Sequence, residues 1–289
     1  MSLIRRLPLL FLLSLAIQAA QAATPGLRVM SFNVRTPADT EAGKRWEDRR
    51  DSMVALIQQT HPQVIGTQEL TPPQASYLAS HLQGFRWFGQ GRRGGEGDEH
   101  MGVFYDASAL VLVESGDFWL SDTPEVPGSI SWGHPYPRMV TWGLFERRAD
   151  GRRFYLFNTH LPYRAEDEPA RVRGAKLLLS RLASLPHDIP VVLTGDFNTE
   201  PGGDTWRTLT ATLHDARGEA TQVKGPRLTF HDFTGKGQQQ LDWILLRGFT
   251  ATDFATLDAR PNGVLPSDHF PVMADLRFPT TTAGGTKAP

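Results

Sequence analysis

The sequence predicts an α/β fold, a four-layer sandwich in which two stacked mixed β-sheets are flanked by helices. Strand-like segments alternate with helical ones, and some neighbouring strand segments are close enough in sequence to form hairpins. Residues 189–193 are apolar throughout, which is typical of a strand covered on both faces. No repeat or linker divides the chain, so we expect one domain over residues 23–278 and a flexible Thr/Gly/Ala-rich tail over residues 279–289.

The individual elements follow from the spacing of apolar residues. Met53, Leu56 and Ile57 fall on one face of a helix, and Pro72-Pro73 suits the first turn of another. Five glycines between residues 89 and 97 predict a mobile loop at the rim of the molecule. The expected order is a strand at 27–32, a helix at 47–59, a strand at 64–66, a helix from Pro72, strands at 101–105, 110–120, 139–146 and 154–158, a helix at 168–183, and strands at 189–193, 241–246 and 271–276.

The N-terminal residues 1–22 have the pattern of a secretory signal peptide. Arg5 and Arg6 precede an apolar run over residues 7–17, and Ala20-Gln21-Ala22 provides a cleavage site of small residues. The apolar run is too short for a membrane span, which needs about 20 residues. We therefore expect an exported protein, periplasmic or secreted, without stable membrane insertion.

Composition excludes several classes of function. The chain has 30 Lys and Arg against 31 Asp and Glu, a net charge of −1, and this balance argues against strong non-specific binding of nucleic acid. The absence of cysteine excludes a thiolate nucleophile and a cysteine-based zinc site. No His-Glu-x-x-His pattern occurs either, which argues against a zinc hydrolase.

Polar side chains that could act on a phosphoester stand at the ends of the expected strands. Phosphoester cleavage needs a hard cation, a group that orients or deprotonates water, and donors that stabilise the transition state. Carboxylate and carboxamide oxygens suit Mg²⁺. Each candidate alone is also compatible with a turn, a helix cap or a structural histidine. The candidates are Asn33, Glu69, His160, Asp196, Asn198, Asp268 and His269.

Taken in order, the motifs around these residues resemble those of the endonuclease/exonuclease/phosphatase superfamily, and the resemblance runs from Asn33 to Leu276. It implies a metal-dependent hydrolase that cleaves a phosphodiester or phosphomonoester bond by in-line attack of activated water. The motifs are Ser-Phe-Asn-Val-Arg at 31–35, Gln-Glu at 68–69, Asn-Thr-His at 158–160, Gly-Asp-Phe-Asn at 195–198, Leu-Asp-Trp-Ile at 241–244 and Ser-Asp-His at 267–269.

The resemblance also implies a metal site. Glu69 corresponds to the main metal ligand, and Asp268 and Asn33 assist directly or through water. The expected ion is Mg²⁺, with Mn²⁺ or Ca²⁺ as alternatives.

The same resemblance implies roles for the catalytic groups. Asp196 and Asn198 position the attacking water, and either Asp196 or a histidine is the base. His269 corresponds to a phosphate-contacting histidine that Asp242 holds as its carboxylate partner.

Three further assignments are less determined. In the pancreatic deoxyribonuclease branch a glutamate supports the second histidine, and the corresponding residues here are Glu99 for the glutamate and His160 for the histidine. A solvated loop acid is the alternative for Glu99. Arg138 could grip a phosphate or snorkel at a strand start. For Trp119, Trp132 and Tyr136, packing in the core is favoured over stacking on a substrate.

The substrate stays open at this point. The resemblance is to a superfamily whose members cleave DNA, RNA, sphingomyelin and phosphoinositides, so the partner is a phosphoester, with nucleic acid as one option. A phospholipid or sugar-phosphate hydrolase with the same chemistry is the alternative to a nuclease. No obligate protein partner is evident. A non-catalytic exported binding module is the competing class, but every motif residue needed for chemistry is present.

Overall fold

The computed structural model describes residues 26–280. The predicted leader lies outside this range, as do all but the first two residues of the predicted tail. Within it, no helix has the length and apolar character of a membrane span. The strands are β1 (Leu27–Asn33), β2 (Val64–Gln68), β3 (Phe85–Phe88), β4 (Val103–Asp106), β5 (Leu110–Trp119), β6 (Met139–Arg147), β7 (Arg153–His160), β8 (Val191–Asp196), β9 (His214–Asp215), β10 (Gln222–Lys224), β11 (Asp242–Arg247), β12 (Thr250–Thr256) and β13 (Val272–Arg277).

Helices join these strands. The sequence pattern did not predict two of these helices, nor the strands β3, β9, β10 and β12. Short 3₁₀ turns occupy Ala165–Asp167 and Pro261–Gly263. The α-helices are α1 (Trp46–Thr60), α2 (Pro72–His81), α3 (Glu168–Ala183), α4 (Asp204–Thr210) and α5 (Ala216–Glu219), of which α4 and α5 are the unpredicted ones.

The strands form two mixed sheets. The first has the order β10-β12-β13-β1-β2-β4-β3, and the second has the order β5-β6-β7-β8-β11-β9. In the first sheet β1 is parallel to β2 and antiparallel to β13. In the second sheet β8 is parallel to β7 and antiparallel to β11. The predicted α/β sandwich of two mixed sheets with flanking helices is confirmed.

Three apolar layers hold the sandwich together, because successive side chains of a strand point to opposite faces. Val29 and Val192 lie between the two sheets, and their neighbours Met30 and Leu193 point outward. Outside the first sheet, Met53 and Leu78 of α1 and α2 close the second layer. The third layer, outside the second sheet, contains Phe157, Ala175, Leu178, Leu182 and Trp243.

The topology brings many strand ends to one edge of the sandwich. Across the interface between the sheets, β1 packs against β8 and β2 against β7. Within its sheet β1 is parallel to β2, and β7 is parallel to β8 in the other sheet. The carboxyl ends of all four strands meet at this edge. The antiparallel neighbours β11 and β13 begin at the same edge, and Asp242 pairs with Asp196 in the ladder. Side chains far apart in sequence therefore converge there.

A close approach between the sheets explains Gly66 in the middle of β2. A Cβ at this position would lie 2.1 Å from Thr194 Oγ1 and 2.6 Å from Asn158 Oδ1. The Asn158 carboxamide accepts a hydrogen bond from Gln68 Nε2 at 2.7 Å and donates one to Thr67 O at 2.7 Å, so it ties the sheets together at this point.

We expect Gly66→Ala to destabilise the fold, because the added methyl group would push the sheets apart or displace this buried polar contact. Overpacking of this kind costs about 1–3 kcal/mol. Urea unfolding of Gly66→Ala measures the loss. Gly97→Ala is the matched control, since a Cβ there meets no atom within 4 Å. Equal stability of the two variants would contradict the packing argument.

Candidate active site

A cleft of about 530 Å³ opens at the edge where the strand ends meet. We refer to it as the catalytic cleft. Eight of the ten candidate catalytic, metal-binding and phosphate-binding residues line it, and the other two, Asn33 and Asp242, are buried behind it. The eight lining residues are Glu69, Glu99, Arg138, His160, Asp196, Asn198, Asp268 and His269. Tyr136 also lines the cleft and is exposed, so the expectation that it packs in the core was wrong.

Asp196 lies on the floor of the catalytic cleft at the end of β8. Its Oδ2 accepts a hydrogen bond from Asn33 Nδ2 at 3.0 Å, and its Oδ1 accepts one from the backbone N–H of Asn198 at 3.0 Å. Burial raises the pKa of Asp196; the positive charge of His269 opposes this and Asp242 adds to it, which leaves the pKa at about 7. A carboxylate with a pKa near neutrality is suited to accept a proton from water.

Two imidazoles face the same oxygen of Asp196. The Nε2 atoms of His160 and His269 lie 3.6 Å and 3.8 Å from Asp196 Oδ2. The two histidines come from different sheets, since His160 ends β7 and His269 precedes β13. Each sheet therefore contributes one imidazole to the surroundings of this carboxylate oxygen.

Asp242 holds His269 from behind, as the sequence suggested. The Nδ1 of His269 donates a hydrogen bond to Asp242 Oδ2 at 2.8 Å, which directs Nε2 toward the cleft. Burial lowers the pKa of His269, but the charge of Asp242 and this hydrogen bond, together with the charges of Asp196 and Asp268, raise it to about 10. His269 is consequently an imidazolium at neutral pH.

Glu99 does not support His160 in this structure, in contrast to the pairing inferred from the sequence. Within residues 26–280 the buried Nδ1 of His160 has no hydrogen-bond partner, whereas Glu99 Oε2 accepts a hydrogen bond from Arg92 Nη1 at 2.7 Å. A guanidinium attracts the carboxylate more strongly than a neutral imidazole does. His160 is neutral, because burial and the charge of Arg138 lower its pKa well below the usual value.

The Glu99 carboxyl is itself unusual. Burial and the nearby charge of Glu69 raise its pKa to about 7 despite the opposing charges of Arg92 and Arg138. The glycine-rich loop before it is folded back by hydrogen bonds from Gly91 N to Gly95 O and from Arg92 N to Glu99 O, rather than being the open rim element expected from its composition.

Two of the three predicted metal ligands, Glu69 and Asp268, form an acidic wall of the cleft, and the third, Asn33, is buried behind it. Asn33 Nδ2 donates to Glu69 Oε1 at 3.1 Å, and the backbone N–H of Thr36 donates to Glu69 Oε2 at 3.0 Å. Burial raises the pKa of Asp268; His269 opposes this and Glu69 adds to it. Two adjacent carboxylates and a carboxamide without any sulfur ligand fit a hard divalent cation, which would relieve the repulsion between Glu69 and Asp268.

A second set of two acids and a histidine lies close enough together to hold a metal ion. Ligand atoms of Asp196, Asp242 and His269 all lie within 4.8 Å of one another. However, the hydrogen bond between His269 and Asp242 occupies Nδ1, and Nε2 is needed on the cleft side. We therefore regard this set as a hydrogen-bonded chain that orients His269, and Glu69 with Asp268 as the better cation ligands.

Arg138 presents a positive charge to the catalytic cleft without an ion-pair partner among the described residues. Its side chain is buried, and its Nη1 has no hydrogen-bond partner. Three carboxylates stabilise the cationic form of Arg138 by their charge, and all three line the cleft: Glu99, Asp196 and Glu69. Arg138 is thus buried at the strand start, and its position favours the phosphate-gripping alternative over snorkelling to solvent.

Several functional contacts were missed from the sequence. Arg35 Nε lies 3.7 Å from Asp268 Oδ2, and Arg92 also lines the cleft. Arg49 is fully buried and donates hydrogen bonds to the carbonyl oxygens of Val34, Arg35 and Pro266, so it holds the loop after β1 to the loop that carries Asp268. Arg49 precedes Met53 by one helical turn, and a charge on the apolar face of α1 was the available signal.

Comparison with known proteins identifies the family of this chain. Residues 30–269 match the Endonuclease/Exonuclease/phosphatase family. A member of known structure from Bacteroides thetaiotaomicron is 30% identical, with 88% of this chain and 98% of that chain covered and a TM-score of 0.82. A mannosyl-6-phosphatase from Bacteroides thetaiotaomicron is 29% identical, with 88% and 100% covered and a TM-score of 0.82. The human Nocturnin catalytic domain, solved with a bound sulfate anion, shares the fold at 22% identity, with 88% and 94% covered and a TM-score of 0.71. The chain belongs to the endonuclease/exonuclease/phosphatase family.

Proposed function

We propose that the protein is a metal-dependent hydrolase that cleaves a phosphoester bond by in-line attack of water. The observation that carries this proposal is the convergence of His160 Nε2 and His269 Nε2 on one oxygen of Asp196 at 3.6 Å and 3.8 Å. Beside it lies the acidic wall of Glu69 and Asp268. An anion-binding space next to a carboxylate base and a set of hard oxygen ligands matches the needs of this reaction.

Glu69 and Asp268, with Asn33, are the residues that would hold the cation. A bound divalent cation supplies neutralisation of phosphate oxygens and helps to position the substrate. The side chains of the chain itself supply the rest of the chemistry.

Asp196 accepts a proton from the attacking water while the oxygen of that water bonds to phosphorus. The bond between phosphorus and the leaving oxygen breaks on the opposite side, and the leaving oxygen takes up a proton from solvent. His269, as an imidazolium, donates its Nε2–H to a phosphoryl oxygen. Neutral His160, which the other sheet contributes, donates a second hydrogen bond to the phosphoryl group. Charge-assisted donors aimed at the developing charge stabilise the transition state most.

Arg138 adds a further contact to the phosphoryl group. A guanidinium offers two parallel N–H donors to two oxygens of a phosphate. Because Arg138 is buried and no carboxylate is paired with it in the described part of the chain, its charge is available to the substrate.

The comparisons support phosphatase activity within this chemistry. One relative at 29% identity over its whole length is a mannosyl-6-phosphatase. The near-neutral charge of the chain fits a small or neutral substrate better than a nucleic-acid strand.

The test is release of phosphate or alcohol from a panel of substrates with and without chelator. We expect turnover of sugar phosphates or of bis-p-nitrophenyl phosphate that disappears with EDTA and returns with Mg²⁺. Parallel reactions with Mn²⁺ and Ca²⁺ identify the preferred ion. Plasmid DNA and RNA in the same panel report a nuclease. Turnover that chelator does not affect would refute the metal-dependent mechanism.

A further inference from the structure

The catalytic cleft continues into a second hollow of about 560 Å³, which we call the side pocket. The two share the side chains of Tyr163, Asn198, Gln239 and Leu241, so a substrate bound by its phosphate in the cleft can extend into the side pocket. Asn198 is also hydrogen-bonded to the base Asp196 through its backbone, which places the entrance to the side pocket directly next to the reacting group.

Charge in the side pocket disfavours a second phosphate. Both arginines in its wall are already paired, Arg171 with Glu168 at 2.7 Å and Arg207 with Asp204 at 2.7 Å. Glu200 has no cationic partner among the described residues, so the wall carries an uncompensated negative charge. A nucleic-acid strand would need cationic groups along its phosphates, and the side pocket offers none that are free.

Aromatic rings border the entrance. The side chain of Tyr163 is 54% exposed and that of Tyr136 is 37% exposed, and their rings are stacked with centroids 6.5 Å apart. The guanidinium of Arg92 lies over the ring of Tyr136, 4.7 Å from its centroid. Tyr136 lines only the catalytic cleft, whereas Tyr163 lines both hollows. Exposed aromatic rings beside amide and carboxylate groups offer an apolar face and hydrogen-bond partners together.

We propose that the side pocket is a subsite for a neutral sugar that forms the leaving group of the phosphoester. The C–H face of the sugar packs on the ring of Tyr163, and its hydroxyl groups bond to Gln239 and Glu200. This assignment rests on the proposed hydrolysis and adds the substrate class, a phosphorylated carbohydrate. Glu200, which has no ion-pair partner among the described residues, can accept hydrogen bonds from the hydroxyl groups of a neutral sugar, whereas it would repel a second phosphate.

The test compares mannose 6-phosphate, which carries a sugar, with ethyl phosphate, which lacks one. We expect Tyr163→Ala to raise the KM for mannose 6-phosphate by about 3- to 10-fold, as expected for the loss of one aromatic contact, and to change kcat/KM for ethyl phosphate by a clearly smaller factor. Tyr163→Phe keeps the ring and should behave as wild type. Val126→Ala, at another exposed apolar side chain, is the matched control.

The outcomes separate the two proposals. No phosphate release from any phosphoester would overturn the hydrolase itself. Release with equal kcat/KM for both phosphates, or a Tyr163→Ala effect of equal size on both, would overturn the sugar subsite while the hydrolase stands. Preference for an oligonucleotide over mannose 6-phosphate would also overturn the subsite and favour a nucleic-acid substrate.

Discussion

Replacing Glu69 with glutamine is expected to reduce phosphoester hydrolysis by about 10³-fold or more, because a bound cation contributes several kcal/mol to the transition state. Glutamine keeps the shape of the side chain and one acceptor oxygen for Thr36 N–H, but it lacks the negative charge. Folding should be nearly unaffected, since the lost interaction is one hydrogen bond at the edge of the cleft, worth about 1 kcal/mol.

Two measurements on this variant distinguish loss of metal from loss of structure. Calorimetric titration with Mg²⁺ should show binding to wild type and much weaker binding to Glu69→Gln, while thermal unfolding of the metal-free proteins should be similar. Glu96→Gln is the matched control, because Glu96 lies exposed in the glycine-rich loop. Full activity of Glu69→Gln would remove Glu69 from the metal site.

The candidate site could be predicted from the sequence because its members stand at strand ends. Strands β1 and β8, each parallel to a neighbour in its own sheet, place Asn33 and Asp196 at one edge of the sandwich, and the chemistry of the residues at this edge indicates a phosphoester substrate. The ladder between β8 and β11 pairs Asp242 with Asp196 directly. Local patterns therefore carried most of the information about the site.

Contacts between side chains from different loops could not be predicted in this way. The choice of Glu99 between His160 and Arg92 depends on how the glycine-rich loop folds back, and composition indicates only that such a loop is flexible. Arg49 acts through the carbonyl oxygens of two loops that lie far apart in sequence. The spacing of these residues along the sequence does not show how close their side chains come in the folded protein.

The unpredicted elements have weak local signals for physical reasons. In β12 the buried Ala251 and Phe254 are separated by two residues because a bulge shifts the register between Ala251 and Asp253, so the alternation of a strand is broken. Helix α5 is only four residues long and depends on Asp215, whose carboxylate accepts hydrogen bonds from two backbone N–H groups. Neither feature produces the periodicity on which prediction relies.

The backbone of the site is strained where the side chains turn into the cleft. Arg35, Glu69 and Asn198 have φ angles of 52°, 59° and 49°, in the left-handed region that non-glycine residues rarely adopt. Each costs about 1–2 kcal/mol relative to an ordinary conformation. Hydrogen bonds from Arg49 to Arg35 O and from Thr36 N to Glu69 hold two of these residues in place, so the surrounding fold maintains a geometry that the local sequence disfavours.

Replacing Asp196 with asparagine is expected to lower hydrolysis by about 10²- to 10⁴-fold, the usual contribution of a general base. The amide can still accept a hydrogen bond from Asn198 N–H, but it cannot take a proton from water. Steady-state kinetics at saturating Mg²⁺ measure the loss in kcat. If neutral His160 is the base instead, Asp196→Asn should retain most of its kcat, and His160→Gln should show the larger loss.

The same substitution should change how stability depends on pH in the metal-free protein. Burial raises the folded-state pKa of Asp196 from 3.8 to about 7, so between these values the folded state keeps a proton that the unfolded state releases. The free energy of unfolding of wild type therefore falls as pH rises from about 4 to about 7, and this contribution is absent in Asp196→Asn. Urea unfolding in EDTA at both pH values should show the variant gaining stability relative to wild type as pH rises. Asp258→Asn, at an exposed carboxyl, is the control. A pH-independent difference between Asp196→Asn and wild type would show that burial does not penalise this carboxylate, and would remove the physical basis for its role as a base near neutral pH.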